Sequence, residues 1–493
     1  MITLGIDCGT SALKAMLVGG DETILATASR SYLPDRPHPL WSEQDPQVWI
    51  EAMRAALDEL RRRSPREFEA VEALGFSGQM HGAVVLGADD EPLRPAMLHN
   101  DGRAHEEARE LWEKHRDLAA IVGVKPMPGF TAPKYLWLTR REPEIAGKTA
   151  CVMAPKDYLR FWLTGEKRTD MSDAAGTWWL DEAKRAWSRR ALDVAGASED
   201  LTPRLSEGCE VVGGLRSALR SETGLSAEVK IVAGGGDAAV GAVAIGAIKP
   251  QDAYVSLGTA TQLIVASDVF RAAPETLVHS FAHAIPERWY RMAAMLNGAG
   301  ALAFAARVFG ASVETLEAEA ASLKEEDADV LFLPYLSGER TPHDDPYARG
   351  VFFGLSEKTT RADCARAVME GVALTLQLAR ACLESAGDAI SRVGLIGGGA
   401  RSAFWTRLIA ASLQRDVVRY RGGEAGPAFG AARLARIGAS GARPDDLCHA
   451  PEIADVTAPE PGLVEALRRK GERFNRLYGA LKAEFRATAQ PTV

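Results

Sequence analysis

An α/β protein of two similar halves facing a cleft is the fold this sequence predicts, and three observations predict it. The chain has 493 residues, too many for one ordinary hydrophobic core. Helical and strand periodicities alternate along it, the pattern of layered α/β architectures. A strand, a Gly-Thr bend and a second strand near the N-terminus return as a unit about half a chain later.

The first such unit spans residues 2–18, with Asp7-Cys8-Gly9-Thr10 at its bend and a second apolar strand from Leu13. Residues 47–63 carry apolar positions at helical spacing and end on three arginines, the cations that suit a helix C-terminus. Residues 73–78 then read as a short buried strand ending in glycine. The second unit covers residues 253–266, with Gly258-Thr259 at the bend. Residues 363–385 form a long amphipathic helix, followed by an apolar strand over 393–396. Lys249-Pro250 interrupts a helical pattern, which sets the boundary near residues 248–252 and predicts domains over 1–248 and 249–493.

Composition narrows the function classes. The chain is 46% hydrophobic and 25% charged, as soluble enzymes are. Its 58 basic and 66 acidic residues leave a net charge of −8, against a dedicated nucleic-acid binder. The first residues read as a strand rather than a signal peptide, and the apolar stretch over 238–248 is too short to span a bilayer. A cytoplasmic protein is expected. Six scattered cysteines without a C-x-x-C pair predict reduced, structural thiols and no zinc site.

Four segments carry residue types suited to phosphoryl chemistry. In Asp7-Cys8-Gly9-Thr10-Ser11-Ala12-Leu13-Lys14 the bend offers backbone N–H groups and hydroxyls to phosphate, and Lys14 adds positive charge. Asp7 is a candidate to hold Mg²⁺ through water. The Gly258-Thr259 bend would form an opposing wall. In Gly234-Gly235-Gly236-Asp237 a strand runs into glycines that permit close approach, and a helix opens at Asp237. That carboxylate is placed to take a proton from a hydroxyl, or simply to cap the helix. Gly397-Gly398-Gly399-Ala400 repeats the strand, glycine turn and helix start, as a nucleotide site requires.

Other readings of these glycines fail. Neither triplet completes G-x-G-x-x-G, because Ala239 and Ser402 occupy the last glycine position. No G-x-x-x-x-G-K-[ST] is present, and His115-Arg116-Asp117-Leu118 lacks the asparagine a protein-kinase catalytic loop needs, so it reads as a solvated helix face. Side chains able to pair with sugar hydroxyls gather in the Gly78-Gln79-Met80-His81-Gly82 loop and in His99-Asn100-Asp101-Gly102-Arg103.

Together with residues 37–46, 129–137, 169–177, 335–343 and 350–355, these segments resemble the FGGY carbohydrate kinases, and within them the bacterial members acting on xylulose. The resemblance covers nearly the whole chain. It implies two actin-like domains of the hexokinase type closing on ATP and sugar, with Mg²⁺, and transfer of the γ-phosphate to the 5-hydroxyl of D-xylulose in D-xylose catabolism. It implies Asp237 as general base and Asp7 in support of Mg-ATP, the two being the candidate metal carboxylates. Met80, His81 and Asp237 would contact the sugar. Thr10, Ser11, Lys14, Gly258, Thr259, Gly398, Gly399 and Ala400 would line the nucleotide. It further implies a homodimer in many members. Ala238, where the family carries Asn or Gln, and His99, where it carries Trp, depart from the pattern and predict a weakened sugar KM. Kinases of ribulose, L-xylulose or gluconate, and a sensor without catalysis, are the alternative readings.

Overall fold

The computed structural model describes residues 1–323, 329–421 and 426–489. Its first sheet contains β1 (Ile2–Cys8), β2 (Ala12–Val18), β3 (Ile24–Ser31), β4 (Val71–Gly78), β5 (Val211–Gly214) and β6 (Lys230–Val232), in the order β5-β6-β4-β1-β2-β3. Its second sheet contains β7 (Ala253–Leu257), β8 (Thr261–Ser267), β9 (His279–Ala282), β10 (Trp289–Met295), β11 (Arg392–Ile396), β12 (Asp416–Tyr420) and β13 (Ile453–Thr457).

The two sheets are built to one plan. Counted from β3, successive pairs are antiparallel, antiparallel, parallel, parallel and antiparallel. Counted from β10, the order β10-β8-β7-β11-β12-β13 repeats that series, and β9 adds a strand outside β10. Both Gly-Thr bends join the second and third strands of the series, so the echo in the sequence is a duplicated sheet.

Local signals account for the helices that frame the sheets. In α1 (Pro46–Arg63) the Asp45 side chain caps the backbone N–H of Gln47, proline fills the first position, and Arg61, Arg62 and Arg63 meet the C-terminal end of the dipole. Trp49, Met53, Ala56 and Leu60 of α1 fall on one buried face. Arg116 and Asp117 lie exposed in a single 3₁₀ turn, with Asp117 paired to Arg190, as a solvated surface requires.

Four further helices matter for the site: α2 (Pro155–Thr164), α3 (Met171–Ala175), α4 (Asp237–Ile245) and α5 (Ala299–Phe309). Beyond them run α6 (Arg361–Ser385), α7 (Ala403–Leu413) and α8 (Pro427–Ser440). Helix α8 comes late in the chain yet lies on the first sheet. A Cβ on Gly5 of β1 would sit 1.8 Å from the Ala428 carbonyl oxygen, and one on Gly75 of β4 would sit 2.1 Å from that of Ala431. On its other side α8 crosses α4, where a Cβ on Gly430 would meet the Val240 carbonyl at 2.1 Å. Arg433 of α8 donates to the Val243 and Ala244 carbonyls at 2.9 and 3.1 Å, closing the C-terminal end of α4, and pairs with Glu22. The N-terminal end of α4 is fastened to the second sheet by Tyr254, whose hydroxyl donates to the Ala238 carbonyl at 2.5 Å. Crossed helices therefore join the two sheets, by backbone contact of α8 with the first sheet and with α4, and by the Tyr254 hydroxyl from the second sheet to α4.

Among the described residues, no single helix is long and apolar enough to cross a membrane. All six cysteines are free thiols.

Glycine is required where α8 meets the sheet. Gly5→Ala is expected to destabilise the protein by about 3 kcal/mol, at the upper end of overpacking costs. Urea denaturation of Gly5→Ala against the parent checks this, and a midpoint within error of the parent would contradict the packing described.

Candidate active site

The candidate site is built where β4 ends. Gly235 and Gly236 pair with Ser77 and Gly78 of that strand, and Asp237 opens α4. Gly234 adopts φ +84°, open to glycine, with the Phe76 carbonyl only 2.2 Å from where a Cβ would be. A Cβ on Gly236 would lie 2.5 Å from Cγ of Met80, so the turn before Asp237 touches the sugar-type loop directly. Gly236 is the N-cap and Asp237 the first helical residue, accepting the N–H of Ala238 on Oδ1 at 2.8 Å. The carboxylate thus lies within the first turn rather than capping it.

Asp7 stands at the end of β1, opposite Lys14 on β2 and Ser77 on β4. Asp7 and Asp237 each keep some access to solvent while protein crowds them on most sides. Burial pushes Asp237 up to about 7, the negative charge of Asp7 adds to this, and the Ala238 amide opposes it. Burial likewise raises Asp7 to about 6, against the Ser77 hydroxyl and the Lys14 ammonium. Asp7 Oδ1 is buried without a hydrogen-bond partner. Two mutually repelling carboxylates, one with an orphaned oxygen, fit a hydrated cation. Among the described residues no group of three or more His, Cys, Asp or Glu side chains could enclose one.

The Thr10 bend is held by side chains from distant segments. Tyr32 donates its hydroxyl to the Gly9 carbonyl at 2.7 Å, and Gln44 donates to the Thr10 carbonyl at 2.8 Å. Thr10 Oγ1 donates to Gln79 Oε1 at 3.2 Å, and the same oxygen lies 3.4 Å from His99 Nδ1. Gln79, which is buried, so connects the phosphate-type bend to the His99 loop. Ser11 is exposed and uses its carbonyl to accept the Tyr32 N–H at 3.0 Å.

His81 has φ +68°, unusual for a residue with a side chain. Its carbonyl is held by the Thr131 hydroxyl at 3.2 Å and the Lys134 ammonium at 3.0 Å, which offsets the strain. Its Nδ1 is occupied by the Gly176 carbonyl at 2.8 Å, leaving Nε2 for a ligand. Burial keeps the ring neutral, with its pKa well below the ordinary histidine value, despite the Gly176 bond. Met80 accepts the Tyr290 hydroxyl on sulfur at 3.6 Å, bringing the second sheet to this loop.

The 99–103 segment departs from expectation. Arg103 is buried against Asp101, with contacts of 2.6–3.0 Å, and Asp101 also accepts the Ser42 N–H at 2.7 Å. Arg103 also pairs with Glu43 at 2.7 Å, and both Asp101 and Arg103 are buried away from a sugar; His99 and Asn100 keep access. Burial drives His99 down to about 3, with Arg340 and Lys134 adding to the effect, so it too is neutral. Arg340, from the second half, approaches this loop with Nη2 3.7 Å from where a Cβ on Gly129 would lie. The sequence alone assigns no role to Gln44, Lys134 or Arg340, and none to Gln79 beyond its place in the sugar-type loop. Residues up to hundreds of positions apart meet here, and no local pattern marks such a meeting.

The nucleotide-type residues share a separate wall. Parallel pairing of β7 with β11 sets Ser256 beside Ile396, so Gly258-Thr259 and Gly397–Ala400 leave the sheet side by side. Gly397, at φ +92°, packs on Leu257, and a Cβ on Gly399 would lie 2.4 Å from Leu257 Cδ2. The Gly258 bend rests on the start of α5, with the Ala299 N–H donating to the Gly258 carbonyl at 2.7 Å. Gly398 and Thr259 are exposed, whereas Gly399 is buried and shapes the turn. Arg419 donates to the Ala400 carbonyl at 3.2 Å. Asp7, Thr10, Lys14, Met80, His81 and Asp237 therefore cluster around the first sheet and α4, and Gly258, Thr259, Gly398, Gly399 and Ala400 around the second.

The N-terminal domain of the FGGY family of carbohydrate kinases matches residues 2–244, and the C-terminal domain of the same family matches residues 253–439. The xylulose kinase of Escherichia coli K12 is 44% identical over 489 residues, covering 97% of this chain and 99% of its own. That of Klebsiella pneumoniae is 42% identical over 485 residues, with coverage of 97% and 99%. The crystal structure of a xyloylose kinase from Brucella ovis superposes with a TM-score of 0.93 at 43% identity, over 98% of this chain and 100% of that one. This chain belongs to the FGGY family of carbohydrate kinases.

Asp237 binds its proton far more tightly than an unfolded aspartate, so the folded state holds the extra proton between about pH 4 and pH 7 and stability falls as pH rises through that window. Asp237→Asn removes this penalty. It should be more stable than the parent at pH 8, by about 2 kcal/mol, and no more stable at pH 4. Thermal unfolding at the two pH values checks this; an equal difference at both would contradict it.

Proposed function

We propose that this carbohydrate kinase transfers the γ-phosphoryl group of ATP to the 5-hydroxyl of D-xylulose, giving D-xylulose 5-phosphate and ADP, with Asp237 as general base. The observation that carries the reading is the meeting of Asp237 and Asp7 beside the Met80-His81 loop. The xylulose kinases that match this chain along nearly their whole length support the choice of sugar.

In this mechanism Met80 packs against the sugar and His81 offers Nε2 to a hydroxyl, its tautomer set by Gly176 on Nδ1. Asp237, ionised, accepts the proton of the 5-hydroxyl. That oxygen bonds to the γ-phosphorus, and the bond from phosphorus to the bridging β–γ oxygen breaks, leaving ADP. Thr10, Ser11 and Lys14 face the phosphates from the first half. Gly258, Thr259, Gly398, Gly399 and Ala400 cradle the nucleotide from the second. Asp7 and Asp237 are the residues that would hold Mg²⁺, which neutralises charge on the β- and γ-phosphates when bound. Neutral His81 and His99 keep the sugar side free of acidic imidazolium groups, burial holding His99 near 3.

The same reading divides the chain into a sugar domain over 1–248 and a nucleotide domain over 249–493. It sets the enzyme in the cytoplasm, where free thiols persist, as a homodimer. Ala238, buried at the start of α4, and His99, which keeps access, favour one second reading, a related ketose or sugar acid as preferred substrate, because both depart from the side chains the family carries there.

ADP release with Mg-ATP across D-xylulose, L-xylulose, D-ribulose, L-ribulose, glycerol and gluconate tests the reading. D-Xylulose is expected to give the highest kcat/KM, and preference for another compound would move the substrate assignment to it. Asp237→Ala should lower kcat by a factor on the order of 10²–10⁴, and turnover near that of the parent would remove Asp237 from the base role. Ala238→Asn, by restoring one neutral hydrogen bond, should lower the sugar KM about fivefold, and an unchanged or higher KM would show that the position does not meet the sugar.

A further inference from the structure

The interior of the first half holds a charged cluster that the phosphoryl-transfer chemistry does not use. Lys156, Asp157, Arg160, Asp170, Ser172 and Asp173 are each 0–1% exposed. Lys156 Nζ lies 2.6 Å from Asp157, 2.9 Å from Asp170 and 3.1 Å from Asp173, and Arg160 Nη1 lies 2.9 Å from Asp157. Burying three carboxylates with two cations costs several kcal/mol per ion before pairing repays it, and apolar side chains often fill such space with equal stability. The position of the cluster says what it accomplishes.

Three members of the cluster reach out to the glycine turn that carries Asp237. Lys156 and Arg160, one turn apart on α2, both donate to the Ala233 carbonyl, at 3.5 and 2.9 Å. At the other end of the turn, the Gly236 N–H donates to Ser172 Oγ at 2.9 Å. Ser172 Oγ donates in turn to Asp170 Oδ2 at 2.5 Å, and that oxygen also caps α3 by accepting the Ser172 N–H at 2.7 Å. The second oxygen of Asp170 is the one beside Lys156. The segment from Ala233 to Gly236 is thus gripped by its first carbonyl and its last amide, and Asp237 is the next residue.

Three consecutive glycines cannot hold a shape by themselves, since they have the widest backbone freedom and no side chains to pack. The turn must nevertheless be fixed, because a displacement of about 1 Å in a catalytic group can cost about 10²-fold in rate. We propose that Ser172, oriented by Asp170 and Lys156, is a positioning residue for phosphoryl transfer: it fixes the Gly236 amide and so aims the Asp237 carboxylate at the sugar hydroxyl. The proposal rests on Asp237 being the base.

The test compares Ser172→Ala and Ser172→Thr with the parent and with Asp237→Asn. Ser172→Ala is expected to lower kcat about 10- to 100-fold with the xylulose and ATP KM values within about threefold of the parent. Hydrogen–deuterium exchange of the peptide spanning Ala233 to Ala238 should quicken in that variant. Ser172→Thr keeps the hydroxyl and should retain kcat within about threefold. A purely structural role would lower the melting temperature without changing kcat per folded molecule. The proposal is overturned if Ser172→Ala retains kcat, or if exchange in that peptide is unchanged. Where Ser172→Ala does not fold, Ser172→Cys fills the same space with a poor acceptor and carries the same expectation. If Asp237→Asn retained turnover, the base assignment itself would fail; loss in Asp237→Asn without loss in Ser172→Ala would reject the positioning role alone.

Discussion

Two carboxylates that repel one another in a crowded crevice are the constraint around which the candidate site is arranged. Asp7 and Asp237 lie far apart in sequence, on different elements, and each raises the energy of the other when ionised. Left to themselves they would separate or take up protons. The molecule keeps them in place with backbone: Asp7 is at the end of a strand paired on both sides, and Asp237 opens a helix fixed at both ends. An aspartate raised to about 7 is half ionised near neutrality, the condition under which a carboxylate is both present as base and willing to keep the proton it takes.

The crossed helices follow from the same need. Asp237, the proposed base, belongs to a helix that is tied to the second sheet through Tyr254 and packed by Gly430 of α8, while α8 itself lies on Gly5 and Gly75 of the first sheet. The nucleotide-type turns of one sheet and the sugar-type loops of the other are thereby referred to one rigid pair of helices. Contact at the level of carbonyl oxygens leaves α8 little room to slide on the first sheet or on α4, and the Tyr254 hydroxyl ties the second sheet to that pair. Met80 makes the smallest version of this link, touching Gly236 on one side and Tyr290 on the other.

Much of this was legible in the sequence, for definite reasons. Both hairpins announced themselves because Gly-Thr bends interrupt apolar strands, and their recurrence turned out to be a repeated series of strand pairings. Helix α1 was legible from its periodicity and terminal arginines. Asp237 stood out because three glycines precede it. What stayed hidden is what arises only when distant residues meet. Asp101 and Arg103 looked available to a sugar, yet they neutralise each other. Gln79 joins Thr10 to His99 over spans no periodicity encodes. Gly5, Gly75 and Gly430 read as ordinary strand and helix glycines until their partners were known.

The mutual dependence of the two carboxylates is tested most directly by the pH profile of kcat/KM for D-xylulose, in the parent and in Asp7→Asn. The parent should lose activity as pH falls through about 7, because Asp237 is then protonated and cannot accept the hydroxyl proton. Removing the charge of Asp7 relieves the repulsion, so the acidic limb in Asp7→Asn should lie at lower pH, whatever the lower absolute rate. Titration of ATP itself is common to both enzymes and cancels from the difference. Superimposable limbs, or a parent limb near the ordinary aspartate value, would contradict the coupling of Asp7 and Asp237.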